Sequence, residues 1–343
     1  MTEPDHDELS EDTRKTRRLD RARASRRRAV FGIVAITLLL LAVAWIVSSE
    51  RIADPGVPPV AVVKIITGPG TGENPDFKRP LAAAWGRDGD VLVSDTENKR
   101  IVEFAADWSF VREFGAQGTK ATTESVTPVP LEMPVGLDVS AEGEVYVADL
   151  RGGRVAIYDS AGRFRRTFAP PNSADWRPTD VAVGQTRVYV TDQTGVEVFD
   201  RMGVWLERLP IDGQTDGLSR PNGIAVGKDG TIYVSDTNRF RILAVDASGT
   251  VVYTTAQGDS SDRAFGLPRG LGVFDDGTAL VADAFSFAIT EVDPSGKRGR
   301  RWGVQGDRPG RFNYPNDVDV SGELVLVTDK ENHRVQVLRL RRE

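Results

Sequence analysis

Six stretches of this chain set a proline directly before a pair of residues, and oxygen-bearing side chains gather in those pairs. They are Leu81-Ala82, Val135-Gly136, Thr179-Asp180, Asn222-Gly223, Arg269-Gly270 and Asn316-Asp317. Carboxylates, carboxamides and a hydroxyl are hard donors of the kind a calcium ion takes. If the six stretches converge, Asp180 and Asp317 are the candidate metal ligands. Thr179, Asn222, Arg269 and Asn316 then complete a candidate ligand-binding ring. Two features oppose the metal: the first pair carries no acid, and Arg269 would repel a cation. The same set suits an organic or peptide ligand held by convergent polar groups, or hydrogen bonds to water and to neighbouring strands. Other chemistry is narrowed by composition. With no cysteine and only His6 and His333, the chain lacks thiolate sites and multi-histidine zinc centres.

A second pattern is an aspartate followed five residues later by arginine: Asp95 with Arg100, Asp149 with Arg154, Asp236 with Arg241, and Asp329 with Arg334. A carboxylate at one end of a short loop can accept a two-pronged guanidinium bond from the other end and pin it. This reading is structural. Glu197 and Ala288 stand at the arginine position of two further copies, whose loops are expected to be looser.

The elements that must position these residues are short apolar runs separated by turn residues, with no helical periodicity. Within one copy, Gly223 to Val226, Thr231 to Val234, Arg241 to Val245 and Val251 to Thr255 read as four strands joined by tight turns. Four antiparallel strands form one blade of a β-propeller. The copies run Pro80 to Asp95, Pro134 to Asp149, Pro178 to Asp192, Pro221 to Asp236, Pro268 to Asp283 and Pro315 to Asp329, which gives six blades. Their aspartates are spaced by 54, 43, 44, 47 and 46 residues, near the period of roughly 40 to 50 known for propeller repeats. The first interval is lengthened by residues 116–132, expected to be a loop. In such a ring the first strand of each blade lines the central channel. The pairs after the prolines then ring its mouth, with Asp180 and Asp317 three blades apart.

The sixth copy ends before a fourth strand, while Val60 to Ile66 is a strand without a blade. Gly68 and Phe77 precede Pro80 by the same distances at which Gly303 and Phe312 precede Pro315. The N-terminal segment 60–67 is therefore expected to close the ring as the outer strand of blade six, covering an otherwise open edge.

The pattern Pro-x-Gly, apolar strand, Asp-Gly turn, Tyr-Val-x-Asp and a later arginine resembles the NHL repeat, over about residues 60–343. The resemblance implies an all-β, six-bladed propeller, monomeric, with a binding, scaffold or sensor role toward a protein, peptide or cell-envelope ligand. The arrangement is similar to the extracellular sensor half of certain bacterial receptor kinases, without a kinase. Gluconolactonase-like and strictosidine-synthase-like propellers, which use axial acid and amide clusters, imply the alternative: a calcium-dependent lactone or ester hydrolase.

Between Arg14 and Arg28 stand nine basic residues against one acid, followed by the uncharged apolar run Ala29 to Val47. Nineteen helical residues reach roughly 28 Å, close to the thickness of a bilayer core. The expected order is a disordered cytoplasmic tail (1–28), one transmembrane helix (29–48), a proline-rich stalk (49–59) and an extracytoplasmic propeller (60–343). The rival is a cleaved signal peptide. A basic run, Lys297, Arg298, Arg300, Arg301, Arg308 and Arg311, reads as a solvated strand edge, with docking of anionic envelope polymer or lipid headgroups as the alternative. The formal net charge of −6 and the outside location argue against nucleic acid.

Overall fold

The computed structural model describes residues 60–70, 76–123, 126–171, 173–211, 217–255 and 264–341. The tail, span and stalk expected over 1–59 lie outside the described residues. Among the described residues, no helix is long and apolar enough to cross a membrane.

Strand β1 (Val60–Ile66) opens the described chain. Blade one follows as β2 (Ala82–Trp85), β3 (Val91–Asp95), β4 (Arg100–Phe104) and β5 (Phe110–Phe114), and blade two as β6 (Pro134–Val139), β7 (Val145–Asp149), β8 (Arg154–Tyr158) and β9 (Phe164–Phe168). Blade three is β10 (Asp180–Val183), β11 (Arg187–Thr191), β12 (Val196–Asp200) and β13 (Trp205–Arg208), and blade four is β14 (Pro221–Val226), β15 (Ile232–Asp236), β16 (Arg241–Val245) and β17 (Val251–Thr254). Blade five is β18 (Pro268–Val273), β19 (Ala279–Asp283), β20 (Ala288–Val292) and β21 (Arg298–Trp302). Blade six is β22 (Pro315–Ser321), β23 (Leu324–Asp329) and β24 (Arg334–Leu340). The described residues thus form an all-β, six-bladed propeller of 4-stranded antiparallel sheets.

Blade six takes β1 as its fourth strand, in the order β1-β24-β23-β22. Val60 lies opposite Leu340 and Ile66 opposite Val335, with a bulge between Val62 and Lys64. Val60 and Val62 pack toward blade five, against the group containing Trp302 and Phe312. Ile66 packs toward blade one, with Phe77 and Val102. The first and last strands of the domain therefore share one sheet, and neither of its central strands is left with an open edge.

The core lies between blades. The second and third strands, such as β3 and β4, are buried throughout, whereas the outer strand β5 alternates. Period-two alternation sends one face of each blade to each neighbour. Leu92 and Ile101 of blade one thus meet Val145 and Tyr158 of blade two. The turn from first to second strand is tight where Asp-Gly supplies it: Gly230 has φ +88°, a region that favours glycine. Residues 116–132 form the expected loop where described, with one addition: Ala121 bridges Phe164 on the outer strand of blade two.

Candidate functional site

Each innermost strand has one edge paired in its own sheet and the other facing the next blade across the channel wall. Backbone N–H groups on that free edge need partners. The aspartates supply them. Asp180 accepts the N–H of Val181 on its own strand at 2.9 Å and that of Ile224 in blade four at 3.0 Å. Asp317 accepts Ala83 N–H of blade one at 3.2 Å, and its own strand's Val318 N–H. These two carboxylates, read in the sequence as metal ligands, are staples between adjacent blades.

Two further aspartates do the same one layer deeper, and the sequence reading missed both. Asp138 accepts Val139 N–H at 2.7 Å and, from blade three, Val183 N–H at 2.7 Å. Asp319 accepts Val320 N–H at 2.8 Å and, from blade one, Trp85 N–H at 2.8 Å. Strand alternation was the available signal. Asp138 and Asp319 stand two residues beyond Gly136 and Asp317, hence on the same strand faces.

Glycines make the close approach possible. A Cβ at Gly136 would lie 2.6 Å from the Cα of Asp180, and one at Gly270 would lie 2.8 Å from the Cα of Asp317. Both distances are too short for a side chain. The stapled strands therefore sit nearer their neighbours than any larger residue would permit.

Burial sets the electrostatics. It pushes the carboxyl of Asp138 up to about 7 and that of Asp319 up to about 6. Asp317 is pushed up to about 7 by burial and by the charge of Asp319. Asp180 is raised well above the usual carboxylate range by burial, then by Asp317. The backbone N–H bonds oppose each shift but do not cancel it.

Above Asp180 and Asp317 the channel opens into a cavity of about 200 Å³, lined on blades one and two by Leu81, Met133, Val135 and Leu150. Its other wall carries Thr179, Asn222, Arg269 and Asn316, so all six sequence-predicted ring residues line one cavity. Below lies a second cavity of about 130 Å³, into which Asp138 and Asp319 also contribute. The upper ring is largely bonded to itself. Thr179 Oγ1 donates to Pro221 O at 2.8 Å, and Asn222 Nδ2 to Thr237 Oγ1 at 2.9 Å. Asn316 Nδ2 donates to Leu81 O at 2.7 Å. Arg269 Nε donates to Asn316 Oδ1 at 3.1 Å, while burial pulls its guanidinium below the ordinary arginine value.

The aspartate–arginine pairs stand apart from this cavity, in the loops between second and third strands. Arg100 Nε meets Asp95 Oδ2 at 2.8 Å, Arg154 Nη2 meets Asp149 Oδ2 at 2.9 Å, Arg241 Nε meets Asp236 Oδ2 at 2.9 Å and Arg334 Nε meets Asp329 Oδ2 at 2.7 Å. The carboxylates divide their oxygens. Asp95 Oδ1 takes Lys78 N–H at 2.7 Å and Asp329 Oδ1 takes Asn313 N–H at 2.6 Å, tying down the chain that enters the same blade. The loops expected to be looser are held by other means. In blade three, Arg208 of the outer strand reaches Glu197 at 3.0 Å. In blade five, Asp283 accepts Leu267 N–H at 2.7 Å, and Arg301 Nη2 donates to Ser286 O at 2.8 Å.

The calcium reading meets a donor set already in use. Among the described residues, no group of three or more histidine, cysteine, aspartate and glutamate side chains could hold a metal ion. The two mouth carboxylates each spend lone pairs on backbone N–H groups, and Arg269 shares their cavity.

The sequence pattern of the NHL repeat matches residues 218–245 and 312–338, in blades four and six. The described domain is a six-bladed propeller that contains NHL repeats. The Drosophila melanogaster protein brain tumor is 27% identical over 128 residues, a match covering 35% of this chain and 12% of that protein. The chain thus corresponds to a small part of that relative. Among solved structures, a Xanthomonas campestris gluconolactonase shares the fold at a TM-score of 0.57 and 18% identity, over 77% of this chain and 86% of that one. A nidogen/laminin complex contains a similar chain at a TM-score of 0.54 and 21% identity, over 71% of this chain and 86% of the other. At these identities the structural likeness concerns the fold alone.

Proposed function

We propose that this NHL propeller is a binding module, a scaffold or sensor, that holds a protein, peptide or cell-envelope ligand at the mouth of its channel. The observation that carries the reading is the occupation of Asp180 and Asp317. Both serve the ring as staples, so the mouth offers a half-apolar, half-polar recess and little uncommitted chemistry. The nidogen/laminin complex supports a protein ligand, because a propeller of the same fold is there part of a protein assembly. In this reading the propeller is monomeric and extracytoplasmic, and residues 29–48 anchor it in a membrane.

The test is capture of partners by the tagged full-length chain from membranes. Wild type is compared with Leu150→Arg combined with Thr179→Arg at the mouth, and with Trp205→Arg on the outer strand of blade three. Loss of a partner by the mouth variant alone is expected. Equal capture by all three would reject the mouth as the site.

The gluconolactonase likeness favours a second reading, a calcium-dependent hydrolase of lactones or esters with Asp180 and Asp317 as ligands. It requires calcium to raise the melting temperature of the full chain. It also requires the double substitution Asp180→Asn, Asp317→Asn to abolish lactone hydrolysis. A calcium titration without heat or melting shift rejects it.

A further inference from the structure

We propose that the mouth is built for the end of a ligand carrying a carboxylate joined to an apolar group. Arg269 receives the carboxylate, and the wall of Leu81, Met133, Val135 and Leu150 receives the apolar part. The inference rests on the reading of the mouth as a binding site and names the chemistry of its ligand.

Among the donors that line the cavity, Arg269 carries the positive charge. The Thr179 hydroxyl is spent on Pro221 O and the two N–H of Asn222 on Arg220 O and Thr237 Oγ1, while Asn316, a neutral carboxamide, has one N–H on Leu81 O. Arg269 differs. Its Nε is bonded to Asn316 Oδ1 at 3.1 Å, which fixes the plane of the guanidinium against a side chain itself fixed to blade one. Its two terminal amino groups have no hydrogen-bond or ion-pair partner among the described residues, and the residue lines the cavity. Asp317, the nearest carboxylate along the ring, is committed to backbone N–H groups of Ala83 and Val318. A half-buried guanidinium held by its Nε, on a residue that lines a recess, matches the two parallel bonds a carboxylate makes.

The remaining features agree. The raised carboxyls of Asp180 and Asp317 keep negative charge beneath the mouth low through mildly acidic pH. At about 200 Å³ the cavity is smaller than the roughly 300 to 1,000 Å³ of pockets that enclose a drug-sized ligand. It therefore takes a terminal group, and the apolar wall faces it across the channel mouth. Two sources offer this chemistry: the C-terminal residue of a peptide, and a free short-chain acid.

The experiment is calorimetric titration of the full-length chain with Nα-acetyl-alanyl-leucine as free acid, with its carboxamide, and with hexanoate. The free acid is expected to bind about tenfold or more tighter than the carboxamide, since charge-assisted bonds are roughly twice as strong as neutral ones. Arg269→Gln should remove that preference. Arg269→Lys, which keeps the charge without the fork, should retain part of it, and melting temperatures of both variants confirm folding. Hexanoate binding as tightly as the peptide assigns the site to free acids, and weaker hexanoate binding assigns it to peptide ends. Equal affinity for acid and carboxamide, a preference that survives Arg269→Gln, or no binding of any probe would overturn the inference. Partner capture that depends on Leu150 and Thr179 could still stand in those cases, so the two failures are distinguishable.

Discussion

The carboxylate of Asp180 in blade three accepts the backbone N–H of Ile224 in blade four at 3.0 Å. Its other oxygen holds Val181 N–H of its own strand at 2.9 Å, so one side chain joins two inner strands that share no sheet. Asp138, Asp317 and Asp319 repeat the device at other blade junctions. A ring whose blades meet mainly through apolar packing thus gains directional bonds at its narrowest point.

Asp180→Ala is expected to leave two backbone N–H groups at the channel wall without partners. Each buried unsatisfied donor costs about 1 to 3 kcal/mol. Urea denaturation of the full chain should show a loss of at least about 2 kcal/mol relative to wild type. A loss within about 0.5 kcal/mol, typical of a surface substitution, would contradict the staple.

Gly270→Ala adds a Cβ that would lie 2.8 Å from the Cα of Asp317, against backbone that cannot rotate away. Overpacking of this kind costs about 1 to 3 kcal/mol. The contrast is Gly230→Ala, where nothing lies within 4 Å and only the φ of +88° is unfavourable. Thermal melts should rank Gly270→Ala as the more damaging; the reverse order would mean that blades five and six are not in close approach.

The staples also set a pH dependence. Asp138 and Asp317 are raised to about 7 and Asp319 to about 6, so the folded chain binds more protons than the unfolded chain between roughly pH 4 and pH 7. Stability must therefore fall as pH rises through that window. The melting temperature is expected to be higher at pH 5 than at pH 8, with a shallower slope in Asp319→Asn. A melting temperature that climbs from pH 5 to pH 8 would show that these carboxylates ionise freely in the fold.

Arg334 pairs with a fully buried Asp329 and also holds the carbonyls of Asp307, Arg308 and Arg311. Removing one partner of a buried pair costs about 3 to 5 kcal/mol. Arg334→Ala should reach that range in chemical denaturation. Lys228→Ala breaks a pair whose side chains are 71% and 83% exposed, and should cost about 0 to 1 kcal/mol. Similar losses in both would remove the special role of the loop arginines.

Much of this architecture is legible in the residues. The Pro80-to-Asp95 spacing repeats because a blade entry and a strand end must meet in one sheet, and four of the prolines stand directly opposite those aspartates. The orphan strand Val60–Ile66 and the missing fourth strand of blade six point to each other for the same reason. The mouth ring is legible in membership and less so in role. Asp180 and Asp317 look like ligands when only oxygen atoms are counted; their backbone N–H partners belong to blades 40 or more residues away and leave no local mark. Arg269 reads as an obstacle to a metal until Asn316 is seen to orient it. Blade three hides its arginine on the outer strand, at Arg208, where a fixed five-residue spacing does not look.

Photo-crosslinking from single positions on the full-length chain tests the central claim most directly. A photoreactive residue is placed at Leu150 or Asn222 on the mouth, or at Glu142 or Asp229 in the turns at the far ends of the first strands. Partner adducts that form from Leu150 and Asn222, and are absent from Glu142 and Asp229, are the predicted result. Adducts from the far turns alone would contradict a channel-mouth binding site.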